Sequence, residues 1–101
     1  MIPRYVVGSA LVPEMATMYQ NLLRGYGILC VAEGSTLNFG YWDKVKIWLI
    51  DPRVLLDDEK VALLIETLGQ DAHLEEIELA RVEAQRWIDQ NPGILWPSAF
   101  S

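Results

Sequence analysis

The amino-acid sequence predicts a single α+β domain, residues 1–101, in which helices pack on one face of an antiparallel sheet. Two observations predict this class. Apolar residues alternate along a central segment, residues 28–50, as they do in strands, but recur every three or four residues in the segments on either side, as they do in amphipathic helices. We therefore expect a three- to four-stranded sheet with an N-terminal helix and a C-terminal helical hairpin, in the order β-α-β-β-β-α-α.

The chain begins with a predicted strand and an amphipathic helix. Residues 4–7 are rich in β-branched and aromatic side chains, and Gly8-Ser9 is expected to end the strand. Pro13 suits the first turn of a helix, and Gly25 or Gly27 is expected to stop it. The apolar stripe of this helix is expected to consist of Met15, Met18, Tyr19 and Leu22.

Three strands are predicted between residues 28 and 50, joined as a meander. A two-residue turn at Gly34-Ser35 pairs residues 28–32 with residues 37–41, and a three-residue loop pairs residues 37–41 with residues 45–49. Both registers turn one set of side chains toward the helices. The expected buried set is Ile28, Cys30, Ala32, Leu37, Phe39, Val45, Ile47 and Leu49.

The C-terminal half predicts two helices and a tail. Asp57 is a candidate N-cap for a helix that reaches Gly69, with Val61, Leu64, Ile65 and Leu68 as its apolar stripe. Asp71 is expected to cap a longer helix, residues 72–90, with Glu78/Arg81 and Glu83/Arg86 as ion pairs on its surface. The apolar tail, residues 94–101, is expected to dock on the domain or face a partner. The expected buried side of the longer helix is Leu74, Ile77, Ala80, Ala84, Trp87 and Ile88.

The distribution of charge and the single cysteine argue against several classes of protein function. The net charge of −6 belongs to the C-terminal half, where eleven acidic side chains face four basic ones, and the eight basic residues are scattered along the chain. Such a chain lacks the basic face that direct nucleic-acid binding needs, and no uncharged stretch reaches the roughly 20 apolar residues of a membrane span. The single cysteine, Cys30, fits a reducing cytoplasm.

No residue pattern predicts a catalytic, cofactor or metal site. Phosphate-binding glycine loops, nucleophile elbows and zinc spacings are all missing from the sequence. Cys30 falls where a small buried thiol is usual, and His73 with Glu76 would need two further ligands to hold a metal. The acidic run of residues 57–59 is typical of the first turn of a helix. We expect no cofactor and no enzyme chemistry.

Two surfaces are candidate partner-binding sites. The meander turns a second apolar set, centred on Trp48, to the side away from the helices, where either the chain itself or a partner covers it. The second surface lies on the long C-terminal helix, where Leu79 and Val82 point away from the core among glutamates. The candidate partner-binding residues are Leu29, Val31, Trp48, Ile50, Glu75, Glu76, Glu78, Leu79, Val82 and Glu83.

The function that fits best is a small acidic intracellular protein-binding module, such as a regulator, an inhibitor, an immunity-type factor or an accessory subunit. Its partner would be another protein or a second copy of itself, met by surface complementarity. One alternative is an acidic nucleic-acid mimic that blocks a basic groove on a DNA- or RNA-binding protein. Another is a small enzyme or metal protein without a recognisable motif.

Overall fold

Residues 1–33 and 44–100 are described by a computed structural model, which confirms the α+β class. Within them, a three-stranded antiparallel sheet is combined with one N-terminal helix and two C-terminal helices. The strands are β1 (Tyr5–Ala10), β2 (Cys30–Glu33) and β3 (Val45–Leu49); the helices are α1 (Pro13–Gly25), α2 (Asp58–Leu68) and α3 (Leu74–Gln90). Short 3₁₀ helices span Pro52–Leu56, Gly69–Asp71 and Ser98–Phe100.

The sheet has β3 at its centre, with β1 on one edge and β2 on the other. Trp48 of β3 lies opposite Val6 of β1 and Val31 of β2, so both edges of β3 are occupied. The predicted pairing of β3 with residues 37–41 is therefore wrong. The turn at Gly34-Ser35 and the predicted core residues Leu37 and Phe39 lie outside the described residues.

The predicted alternation of side chains is confirmed on both described meander strands. Ile28, Cys30, Ile47 and Leu49 are buried, whereas the residues between them are half-buried or exposed. Ala32 and Val45 pack against the same core. The face of the sheet that carries Cys30, Ile47 and Leu49 is the inner face, and α1 packs against all three strands and α2.

The sequence predicts that β1 ends at Gly8-Ser9, but the strand continues to Ala10. Its pairing with β3 shifts between Val6 and Gly8, which marks a bulge. The outer edge of β1 is covered by the chain just before α3, where the backbone N–H of His73 donates to the carbonyl of Val7 at 2.9 Å. Glycine is needed at position 8 because a Cβ there would lie 2.7 Å from the backbone oxygen of Asp71.

The buried side of α1 differs from the predicted stripe by one position. Ala16, Tyr19 and Leu23 are buried, whereas Met18 and Leu22 are 48% and 47% exposed. The hydroxyl of Tyr19 donates to the Asp71 carboxylate at 2.7 Å. This bond orients Tyr19 and, with the small side chain of Ala16, sets which side of α1 meets the sheet.

α2 begins and ends where predicted. The Asp57 side chain accepts hydrogen bonds from the backbone N–H groups of Glu59 and Lys60, and the chain turns at Gly69, whose φ of +55° favours glycine. The buried residues of α2 are Val61, Leu64 and Leu68, with Ile65 packed beside them. The acidic run of residues 57–59 thus serves the first turn of α2, as expected.

α3 begins at Leu74, two residues later than predicted, and packs mainly against β1 and the 3₁₀ helix Pro52–Leu56. Asp71 does not cap it, because its carboxylate is bonded to Tyr19. The buried side of α3 is Ile77, Ala80 and Ala84, with Trp87 and Ile88 half-buried. Leu74, predicted to be buried, is 55% exposed because it lies at the very start of the helix.

The chain after α3 returns to the 3₁₀ helix Pro52–Leu56 through Arg53. The Arg53 guanidinium binds both carboxylate oxygens of Asp51, donates to the carbonyl of Phe100 at 3.0 Å, and lies 4.2 Å from the ring centre of Trp96. Trp96 also meets Trp87 of α3 edge to face. Within residues 1–33 and 44–100, no helix has the length and apolar character needed to cross a membrane.

Candidate interaction surface

α3 exposes three apolar side chains: Leu79 and Val82 lie on the side opposite its buried residues, and Leu74 lies in its first turn. Leu74, Leu79 and Val82 are 55%, 68% and 59% exposed. At 100° per residue, Leu79 and Val82 lie more than 100° from Ile77 and Ala84, so the core cannot cover them. We define the α3 outer face as Leu74, Glu75, Glu78, Leu79, Val82 and Arg86. It contains four of the ten predicted partner-binding residues.

Two depressions flank the α3 outer face. A groove of about 730 Å³ runs between the 3₁₀ helix Pro52–Leu56 and α3; its lining combines three apolar side chains with five polar ones, namely Leu55, Leu56 and Val82 with Arg81, Gln85, Arg86, Asp89 and Gln90. A shallower depression of about 450 Å³ lies among Leu74, Glu75, Glu78 and Leu79. Leu56 was not among the predicted site residues, because its position before the Asp57 cap predicts local packing against α2. It is 37% exposed and lines the groove.

Arg81 holds one wall of the groove in place. Its Nε donates to the carbonyl of Leu55 at 3.0 Å, and its terminal nitrogen pairs with the Asp58 carboxylate. The predicted Glu78/Arg81 pair is therefore replaced by a link from α3 to the start of α2, which spacing along one helix cannot reveal. Among the residues described, Arg86 is in no ion pair, so the predicted Glu83/Arg86 pair is not formed either.

Two of the predicted partner-binding glutamates lie off the α3 outer face. Glu76 and Glu83 line a depression of about 260 Å³ between α3 and the start of β1, together with Tyr5. Burial, and then the negative charge of Glu83, raises the pKa of the Tyr5 hydroxyl. The carboxylates of α3 are therefore divided between two sides of the helix.

The second candidate surface is the Trp48 face, made of Leu29, Val31, Trp48 and Ile50. All four side chains are half-buried, and Trp48 lies between Val6 and Val31 across the sheet. The predicted separation of these residues from Cys30, Ile47 and Leu49 is confirmed. Their role in binding stays a prediction, and the Trp48 face is less exposed than the α3 outer face.

A polar cluster between β1 and α3 has the order of groups found in a catalytic triad. Ser9 Oγ lies 3.0 Å from His73 Nε2, and His73 Nδ1 lies 3.4 Å from the Glu76 carboxylate. A nucleophile must be reached by its substrate, however, and Ser9 is only 6% exposed on a strand whose edge is covered by the chain before α3. We interpret the cluster as a structural link between β1 and the start of α3.

The Cys30 thiol is the other nucleophile considered in the sequence analysis. Cys30 is buried on the inner face, and burial raises the pKa of its thiol to about 12. At neutral pH this thiol is protonated and unreactive. Across residues 1–33 and 44–100, no group of three or more histidine, cysteine, aspartate or glutamate side chains is placed to hold a metal ion.

Comparison with protein-family models, with curated proteins and with solved structures finds no match to this chain.

Proposed function

We propose that this chain is a small protein-binding module of the cytoplasm, which acts by surface complementarity as a regulator, inhibitor, immunity-type factor or accessory subunit. Its contact surface is the α3 outer face. The observation that carries the proposal is the exposure of Leu74, Leu79 and Val82, at 55%, 68% and 59%, on one helix and beside a groove. Apolar groups concentrated in this way, with a polar rim, are typical of interaction sites.

The apolar side chains of this surface would supply part of the free energy of a specific association. Full burial of one leucine or valine side chain contributes about 1.5–3 kcal/mol. Leu79 and Val82 are already partly covered, so a partner that completes their burial would gain about 2–4 kcal/mol from the two together. The gain is complete only where the surrounding groups of the interface exclude water from both side chains.

The charge around these side chains indicates which partner would fit. Glu75 and Glu78 flank Leu79, so the complementary surface has an apolar centre and basic groups at its rim. A second copy of this chain is a poor match, because two chains of net charge −6 would bring like charges together. We therefore assign the surface to a different protein.

The test compares matched variants. In the variant Leu79→Ser/Val82→Ser, two exposed apolar residues of α3 are replaced; in the control, Met18→Ser/Leu22→Ser, two exposed apolar residues of α1 are replaced. Tagged parent, variant and control are recovered from cells that make the chain, and each protein recovered with the parent is purified. Its dissociation constant is then measured against all three chains.

The proposal predicts that the variant weakens this binding at least about tenfold while the control does not, as expected from the loss of the apolar burial of Leu79 and Val82. Equal binding by all three chains would exclude the α3 outer face as the site. The nucleic-acid mimic would be indicated instead if the serine substitutions at positions 79 and 82 do not change the binding but it is lost when four glutamates of α3 are neutralised, namely Glu75, Glu76, Glu78 and Glu83. Elution of the parent as a dimer that the variant abolishes would indicate self-association.

A further inference from the structure

Negative charge is concentrated at one end of the α3 outer face. Glu75 and Glu78 lie in the first turns of α3, beside Leu74 and Leu79. At the other end, Arg86 offsets Asp89, whose carboxylate accepts a hydrogen bond from Gln85 at 2.9 Å. The surface therefore changes along its length, from acidic at the start of α3 to a groove where apolar side chains lie among basic, acidic and amide groups.

The dimensions of the surface match a helix. From Glu75 to Arg86 the helix rises about 16 Å, at roughly 1.5 Å per residue, which is the length of three helical turns. The exposed apolar residues on this stretch, Leu79 and Val82, are three positions apart, and Leu56 lies beside Val82 in the groove among polar side chains. An amphipathic helix binds such a groove through side chains three and four residues apart.

We propose that the occupant of the α3 outer face is an amphipathic helix of the partner, basic at its C-terminal end, which lies antiparallel to α3. This inference rests on the proposed function and specifies its ligand. Basic residues are favoured near the C-terminus of a helix by the helix dipole. When that end lies over Glu75 and Glu78, opposite charges are paired and the uncharged part of the partner helix lies over Val82 and Leu56. The dipoles of the two helices then point in opposite directions, which is the favourable arrangement for neighbouring dipoles.

The probes are two synthetic helical peptides of identical composition, each with leucines three and four residues apart. One carries its lysines in the C-terminal turns and the other carries them in the N-terminal turns. Binding to the full chain is measured by titration. A spin label at the C-terminus of each peptide reports orientation, because it broadens the amide signals of the nearest residues of α3.

The inference predicts that the peptide with C-terminal lysines binds more tightly and broadens residues 75–79 rather than residues 85–89. Glu75→Gln/Glu78→Gln should weaken its binding about tenfold. The control Glu14→Gln/Glu66→Gln removes the same charge from exposed positions elsewhere and should change it by less than about twofold. Broadening at residues 85–89, equal effects of the two variants, or binding by neither peptide would overturn the inference.

These outcomes are distinguishable from failure of the proposed function. If Leu79→Ser/Val82→Ser abolishes peptide binding, but changes at Glu75 and Glu78 and the position of the lysines do not affect it, only the inference of an antiparallel basic helix is excluded. A natural partner that binds the parent and the Leu79→Ser/Val82→Ser chain equally removes the proposed function itself.

Discussion

Replacing Gly8 with alanine tests how β1 is held against the start of α3. The new Cβ would lie 2.7 Å from the backbone oxygen of Asp71 and 3.0 Å from Cδ1 of Leu68. Neither neighbour can move easily. Leu68 is fully packed in the core, and Asp71 is tied to Tyr19 through its side chain. The strand must therefore separate from the segment before α3.

The magnitude follows from the contacts that would be lost. Overpacking of this kind costs about 1–3 kcal/mol, and breaking the hydrogen bond from His73 N–H to the Val7 carbonyl costs about 1 kcal/mol more. We expect Gly8→Ala to lower the free energy of unfolding by about 2–4 kcal/mol. Urea unfolding followed by circular dichroism measures this, and hydrogen exchange at the His73 amide should become faster.

Gly25→Ala is the matched control. No atom lies within 4 Å of a Cβ built at this last residue of α1, and the substitution reduces the freedom of the unfolded chain. It should leave stability unchanged or raise it by up to about 1 kcal/mol. If Gly8→Ala proved as stable as the parent, with the His73 amide still protected, the described contact between β1 and the start of α3 would be wrong.

Three further substitutions test other contacts. Arg53→Met should lower the free energy of unfolding by about 1–3 kcal/mol, because it leaves the buried Asp51 carboxylate without its ion-pair partner. It should also speed the removal of residues 94–101 by carboxypeptidase, and an unchanged rate would contradict the contact of this tail with Arg53. Burial raises the pKa of Cys30 to about 12, so the thiol should lower stability by about 1 kcal/mol from pH 8 to 10, measured by urea unfolding. Cys30→Ala should reduce the fall over that range by the same amount. Trp48→Ala should cost about 3 kcal/mol in thermal unfolding without changing the elution volume if the chain covers the Trp48 face; a stable variant with weaker association would identify that face as a binding site.

The parts of the fold that sequence could predict are those that depend on neighbours in the chain. The Asp57 cap, the Gly69 stop and the alternation of buried residues along β2 and β3 are local patterns, and all three are confirmed. The order of strands is not local. The pairing of β1 with β3 joins residues some forty positions apart, and hairpin rules favour a nearer partner.

Gly8 shows how a correct local signal can be misinterpreted. Glycine in a strand indicates either an end or a close approach of another backbone, and sequence alone does not separate the two. Only the position of Asp71 in space decides between them. The same limit applies to Met18 and Leu22, because the rotation of α1 is set partly by the bond from Tyr19 to Asp71, which no periodicity contains.

The candidate surface was predictable in part. Leu79 and Val82 lie off the buried side of α3 at 100° per residue, and the sequence alone predicts that they face outward. The groove was not predictable, since it forms where the 3₁₀ helix Pro52–Leu56 meets α3 and Arg81 reaches Leu55 and Asp58. Long side chains that link distant elements leave no signal in spacing.

Photo-crosslinking from position 79 tests whether the α3 outer face is the surface that binds a partner protein. A photoreactive amino acid is placed at Leu79 on the α3 outer face or, as the control, at Leu22 on the exposed side of α1, in cells that make the chain. We predict a covalent adduct with one protein from position 79, lost when Val82→Ser is added, and no such adduct from position 22. Equal adducts from both positions, or none from position 79, would contradict it.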